Sequence, residues 1–169
     1  MRLILVSACL LGVDCRFDAQ SCPEVTLRKL AAQGRVVPFC PEVFGGLPTP
    51  RRPAEIEKAH AGLDGSAVLE GQTRVVTSDG SDVTAHFVAG ATGALALARH
   101  LGIRQAILKS HSPSCGVGQI HEGRFAGTLV PGDGVRAALL KGAGIQVTTE
   151  RDMPSSGSRA QDCMSHDPE

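Results

Sequence analysis

Short apolar runs punctuate this chain, and each gives way to a loop rich in Gly, Pro or Ser. Leu3-Ile4-Leu5-Val6, Val36-Val37-Pro38-Phe39 and Ala106-Ile107-Leu108 have the length and β-prone content of strands. Helical spacing fills the gaps between them. Pro23 and Glu24 open a stretch in which Val25, Leu27, Leu30 and Ala31 face a core until Gly34 ends it. Val83, Phe87, Gly90, Ala91, Ala94, Leu95 and Ala98 recur as one helix face, with Ser81 or Asp82 as the cap and Gly102 as the stop. Asp133 is expected to cap a further helix through Leu139 and Leu140, before a last strand from Ile145 to Thr149.

Two segments break the alternation. Ala67 to Thr77, around Glu70-Gly71-Gln72, and Gln119 to Val130, around Glu122-Gly123, both read as β-hairpins. The run from Cys40 to Pro53 is so dense in Pro and Gly that regular structure is not expected, and its apolar residues mark it as a functional loop. Strands alternating with helices predict an α/β chain: a Rossmann-like three-layer fold with a mostly parallel sheet, covered on both faces, and β-hairpin insertions. Residues 1–150 are expected to form one domain, and the Ser-, Asp- and Pro-rich stretch 151–169 a mobile C-terminal tail whose Cys163 is a bystander.

At 169 residues and 42% hydrophobic content, the chain suits one core rather than two. Lys plus Arg equals Asp plus Glu at 17 each, so no global field steers it to nucleic acid or an anionic membrane. The absence of Trp and Tyr removes the usual platforms for stacking single-stranded bases. Together these point to a small-molecule ligand, with no membrane and no intact nucleic acid as partner, and to a monomer or small homo-oligomer. A strand-like start without a basic leader, and no run of spanning length, give a cytoplasmic expectation. Thiols stay reduced there, which favours metal-binding or catalytic cysteines over disulfides.

Six cysteines are present without a CxxC pair, so neither a zinc ribbon nor a thioredoxin-like motif is supported. Cys9, Cys40 and Cys115, however, each follow a predicted strand, and ligands of parallel α/β sheets gather outside the carboxyl ends of the strands. A lone Cys is commonly a small buried hydrophobe; three in equivalent places suggest one site. Cys15 and Cys22 precede the first helix and could add ligands, Cys15 being the reserve.

Around these cysteines, Ser7 and the amides of Leu10, Leu11 and Gly12 could approach an anion, although a plain tight turn explains them as well. Arg16, Arg51 and Arg52 could clamp a phosphate, or stand as solvated charge, with Arg16 and Asp18 bracing their loop. His111 could touch substrate or simply be hydrogen-bonded in its loop; the other histidines have no ligand spacing.

Four motifs carry a resemblance. They are Val6-Ser7-Ala8-Cys9-Leu10-Leu11-Gly12 with Cys15-Arg16-Phe17-Asp18, Phe39-Cys40-Pro41-Glu42-Val43 through Gly45-Gly46-Leu47-Pro48-Thr49-Pro50-Arg51, Asp82-Val83-Thr84, and Leu108-Lys109-Ser110 through Ser112-Pro113-Ser114-Cys115-Gly116. From Met1 to about Glu150 the chain resembles the bacterial family typified by the thiouracil desulfidases. It departs from the family's usual Arg-Tyr-Asp-Gly by carrying Phe17 and Ala19.

The resemblance implies a [4Fe-4S] cluster held by Cys9, Cys40 and Cys115, with the fourth iron open as a Lewis acid for substrate sulfur. The implied reaction is non-redox desulfuration of 4-thiouracil, or its nucleoside or nucleotide, to uracil and sulfide. Glu42, two residues past Cys40, is then the expected general base or proton shuttle, and Ser112 a group that orients the ring or relays a proton. Two rivals stand beside this expectation: a non-catalytic metal-binding or redox-sensing module with four protein ligands, including Cys15, and a cluster-free cysteine enzyme using Cys115 and His111.

Overall fold

The computed structural model describes residues 2–153. In chain order, strand β1 (Ile4–Ser7) is followed by a 3-10 turn (Ala8–Leu11), helix α1 (Val25–Ala32), β2 (Val36–Phe39), α2 (Pro41–Phe44) and β3 (Ala54–Ile56). Then come α3 (Gly65–Leu69), β4 (Val75–Thr77), α4 (Thr84–His100), β5 (Gln105–Leu108), β6 (Gln119–His121), β7 (Leu129–Pro131), α5 (Val135–Gly142) and β8 (Gln146–Thr149).

Four of these strands make one sheet in the order β2-β1-β5-β8, every pair parallel. Strand side chains alternate between its faces, which explains the near-continuous apolar runs. Leu5, Ala106 and Leu108 join Ala94, Leu95, Ala98, Ala137 and Leu140 of α4 and α5 on one side. Ile4 and Val6 join Leu27 of α1 on the other. A separate cluster of Ile56, Val68, Val75, Phe87, Ile120 and Val135 packs the two small antiparallel pairs, β3–β4 and β6–β7, against the same two helices. Among the described residues no helix is long and apolar enough to cross a membrane.

The α/β class is therefore found as expected, while several local expectations need correction. Ala67 to Thr77 is not a hairpin: Gly65–Leu69 is helical, with Asp64 accepting the Ser66 amide at 3.0 Å, and β4 pairs with β3 instead. Strand β3 was not anticipated, because three residues just beyond a proline cluster carry too little pattern. The Cys40–Pro53 segment begins with one helical turn, since Pro41 at the first helical position fits the fixed φ of a helix start. Val25 is exposed rather than core-facing. Asp133 does not cap α5; Gly134 takes that position, and the Asp133 carboxylate accepts from the Gly118 amide and Lys141. Asp82 does accept the Thr84 amide at 2.9 Å, as a cap would. Most of the expected mobile tail, from 154 onward, lies outside the described residues.

One consequence of the strand order fixes where a ligand should sit. From β1 the chain moves outward to β2 and then crosses to the opposite side of β1 to place β5. The direction reverses between β1 and β5, and ligands of open parallel sheets bind at that reversal, outside the carboxyl ends. Cys9 follows β1 and Cys115 follows β5.

Candidate metal centre

β1 and β2 end in register, Ser7 beside Phe39, so the turns that carry Cys9 and Cys40 leave the sheet at one level. The first is a 3-10 turn closed by Gly12, which adopts φ +96° and donates its amide to the carbonyls of Ala8 and Cys9. The second is the start of α2, with Cys40 at the cap position and Glu42 in the first turn. Helix α2 is seated on α4 through glycine: a Cβ at Gly90 would fall 2.0 Å from the Pro41 carbonyl oxygen. A side chain there would push out the residue between Cys40 and Glu42.

On this side the thiols of Cys9, Cys15 and Cys40 gather, and all but Cys40 are buried. Cys15 interacts with both neighbours. Its pKa reflects a lowering contact with Cys40, outweighed by contact with Cys9 and by burial, and is pushed up to about 11. Contact with Cys15 and burial likewise raise Cys40. Arg51 locks the rim. Its guanidinium reaches the Glu42 carboxylate at 2.7 Å, the Cys15 carbonyl at 3.0 Å and the Pro48 carbonyl at 3.2 Å.

On the other side, the loop Ser112 to Gly116 is clamped to the start of α5. The amides of Val135 and Arg136 donate to the carbonyls of Pro113 and Ser114, and the backbone of Gly134 lies so close that a Cβ would sit 2.4 Å from the Ser114 carbonyl carbon. The Ser112 hydroxyl accepts the amides of Ser114 and Cys115, both at 3.2 Å. Beneath the loop lies Arg136, wholly buried, which donates to the Cys115 sulfur at 3.2 Å, the Ser7 hydroxyl at 2.6 Å and the Phe39 carbonyl at 3.1 Å. One guanidinium thus binds Cys115 itself, the residue just before Cys40 and the residue two before Cys9.

The remaining expected residues are scattered in role, and Cys22, expected as a possible further ligand, is disulfide-bonded and offers no free thiol. Ser7 is buried, accepting from the Lys109 amide as well as from Arg136. Leu10 is fully buried, whereas Leu11 and Gly12 lie at the turn's edge. Arg16 binds Asp18 through two nitrogens at 3.2 Å and braces its own loop. Arg52 is exposed and pairs with Asp79 at 2.9 Å. His111 adopts φ +65°, and burial, then the charges of Arg151 and Lys109, lower its pKa. The sulfur of Cys115 faces Arg136, an obligate donor that cannot act as a base, so the Cys115–His111 pairing finds no support.

Sequence reasoning missed two elements of the site. Arg136 was hidden inside an apolar helical run, Val135-Arg136-Ala137-Ala138, where the charge itself was the available signal. The second is Glu150, which binds Lys109 at 2.6 Å and both the amide and hydroxyl of Ser110, tying the ends of β5 and β8 together. Burial works against its ionisation, but Lys109 and the Ser110 bonds win and lower its pKa.

A parallel sheet with four free cysteines, one of them on a buried guanidinium, defines the class as a thiol-rich α/β protein. The comparisons supply the rest: the family described as 2-thiouracil desulfurase matches residues 4–152, and the chain belongs to that family. It is 44% identical over 151 residues to the uncharacterized protein YbbK of Bacillus subtilis (strain 168), covering 89% of this chain and 97% of that one. It is also similar to the solved structure of the [4Fe-4S]-dependent thiouracil desulfidase TudS, with a TM-score of 0.78 and 47% identity over 91% of this chain and 94% of the other.

Proposed function

We propose that this chain desulfurates a thiolated pyrimidine, with a [4Fe-4S] cluster held by Cys9, Cys40 and Cys115. The observation that carries the reading is that buried Arg136 contacts Cys115 itself and the ends of β1 and β2, at Ser7 and Phe39, just ahead of Cys9 and Cys40. Their chemistry fits the group, since such clusters are held by Cys thiolates. Among the described residues no three His, Cys, Asp or Glu side chains are already set around a single ion. A cluster held by thiolates from separate turns would not require such an arrangement. Bound through three thiolates, it supplies one open iron as a Lewis acid for a thiocarbonyl sulfur.

The chain's own residues then handle water and protons. Glu42, aimed by Arg51, takes the proton of the water that adds at the thiocarbonyl carbon. Ser112, with its oxygen fixed by two amides, keeps its hydrogen to donate to the ring. Water replaces sulfur at the carbon, so a thiouracil becomes uracil and the sulfur leaves as sulfide, with no net redox change.

A second reading is favoured by one contact. Cys15 touches both Cys9 and Cys40, as a fourth ligand of a non-catalytic module would. Protein purified without oxygen and reconstituted separates the two. Iron and sulfide uptake with sulfide release from 4-thiouracil or 4-thiouridine monophosphate supports the enzyme. Uptake without release, together with loss of the cluster in Cys15→Ser, supports the module. A chain that takes up neither iron nor sulfide contradicts both.

A further inference from the structure

Arg136 raises a problem of charge that the fold alone does not solve. It is wholly buried, yet among the described residues no carboxylate oxygen comes within salt-bridge distance of it. Its partners are a hydroxyl, a carbonyl and a thiol sulfur, and its Nε is buried with no partner at all. A guanidinium stays protonated in proteins, and an unpaired buried charge is strongly unfavourable. Every other buried or half-buried cation of the site has its acid: Arg16 has Asp18, Arg51 has Glu42 and Lys109 has Glu150. Among the described residues, Arg136 faces the cysteines without one.

We infer that Arg136 is the built-in counter-ion of the metal centre, a positioning residue whose charge is balanced by the anionic thiolate–cluster assembly. The inference rests on the proposed cluster. Its contact is with the Cys115 sulfur, and hydrogen bonds to cluster sulfurs, with net local charge, set cluster potentials. A fixed positive charge favours the more reduced, more negative state. It also ties Cys115 to the ends of β1 and β2, from which the turns carrying Cys9 and Cys40 leave the sheet.

Two variants of the full chain separate charge from packing. Arg136→Gln keeps amide donors for Ser7 and Phe39 but removes the charge, whereas Arg136→Lys keeps the charge with fewer donors. Each is reconstituted without oxygen beside the parent, and iron and sulfide content, midpoint reduction potential and melting of the cluster-free chain are measured. The expected result is loss of most of the cluster in Arg136→Gln, with a shift of the remaining centre to more negative potential. Arg136→Lys retains more cluster and a potential nearer the parent, whereas in the cluster-free chain Arg136→Gln, relieved of the unpaired buried charge, melts no lower than Arg136→Lys.

Equal loading and an unchanged potential in Arg136→Gln would overturn the counter-ion role. So would equal loss of cluster in both variants, which would make the role one of packing alone. A parent chain that takes up no iron fails the proposed function first and removes the basis of this inference with it.

Discussion

The two sides of the site are built by opposite means. Around Cys115 the loop is fixed almost entirely by backbone: α5 donates its first amides to it, Gly134 lies against it, and Arg136 is sealed beneath. Around Cys9, Cys15 and Cys40 the support is a 3-10 turn, a four-residue helix and a proline-rich loop tied by Arg51. The first side supplies charge and rigidity, while the second carries the carboxylate and the crowded thiols. The buried guanidinium and the Arg51-held carboxylate therefore sit on different elements, and each can be disturbed separately.

The largest separation should come from Glu42→Gln. Losing a positioned general base costs about a hundredfold or more in rate, with iron content unchanged, because no thiolate is touched. Turnover at the parental rate would take Glu42 out of the chemistry. Next in size are the two glycines. Gly90→Ala drives a methyl into the Pro41 carbonyl and Gly134→Ala into the Ser114 backbone, and forced overpacking typically costs about 1–3 kcal/mol. Thermal melts should show both as destabilised, Gly90→Ala disturbing the Cys40 side and Gly134→Ala the Cys115 side; parental melting in either would refute the close approach.

A smaller effect is expected from acid. The folded chain keeps Glu150 ionised at pH values where the unfolded chain protonates it. Its pairing with Lys109 therefore stabilises the fold fully above the ordinary glutamate range and is lost as pH falls through the lowered folded value. The gap in urea midpoint between the parent and Glu150→Gln should be widest at neutral pH and close in acid. A gap constant across that range would show that Glu150 acts by packing. Ser112→Ala should have the smallest effect on stability, about 1 kcal/mol in chemical denaturation, from two amides left to find water. A wild-type midpoint would mean those amides are already satisfied otherwise.

Much of this arrangement was readable in the chain, and the failures have physical causes. The parallel sheet showed in the apolar runs, because strands covered on both faces lack alternation. The four motifs pointed to the right family, which matches residues 4–152. Strand β3 and helix α3 were missed because short elements beside Gly and Pro are set by tertiary pairing rather than by their own pattern. Arg136 was missed for a related reason. Its role depends on Ser7, 129 residues away in the chain, and on Cys115, 21 residues away, and no local periodicity encodes such contacts. Cys15 could be named as a reserve ligand, but its contact with Cys9 and Cys40 required the folded loop.

Whether Cys9, Cys40 and Cys115 hold the cluster while Cys15 stands beside it is decided by counting iron and acid-labile sulfide per chain. The counts are made on the parent and four single Cys→Ser variants, all reconstituted without oxygen. Substitution of Cys9, Cys40 or Cys115 should remove most of the iron and sulfide, and Cys15→Ser should keep the parental amount. Collapse of the cluster in Cys15→Ser, or its full retention in Cys115→Ser, would contradict that assignment.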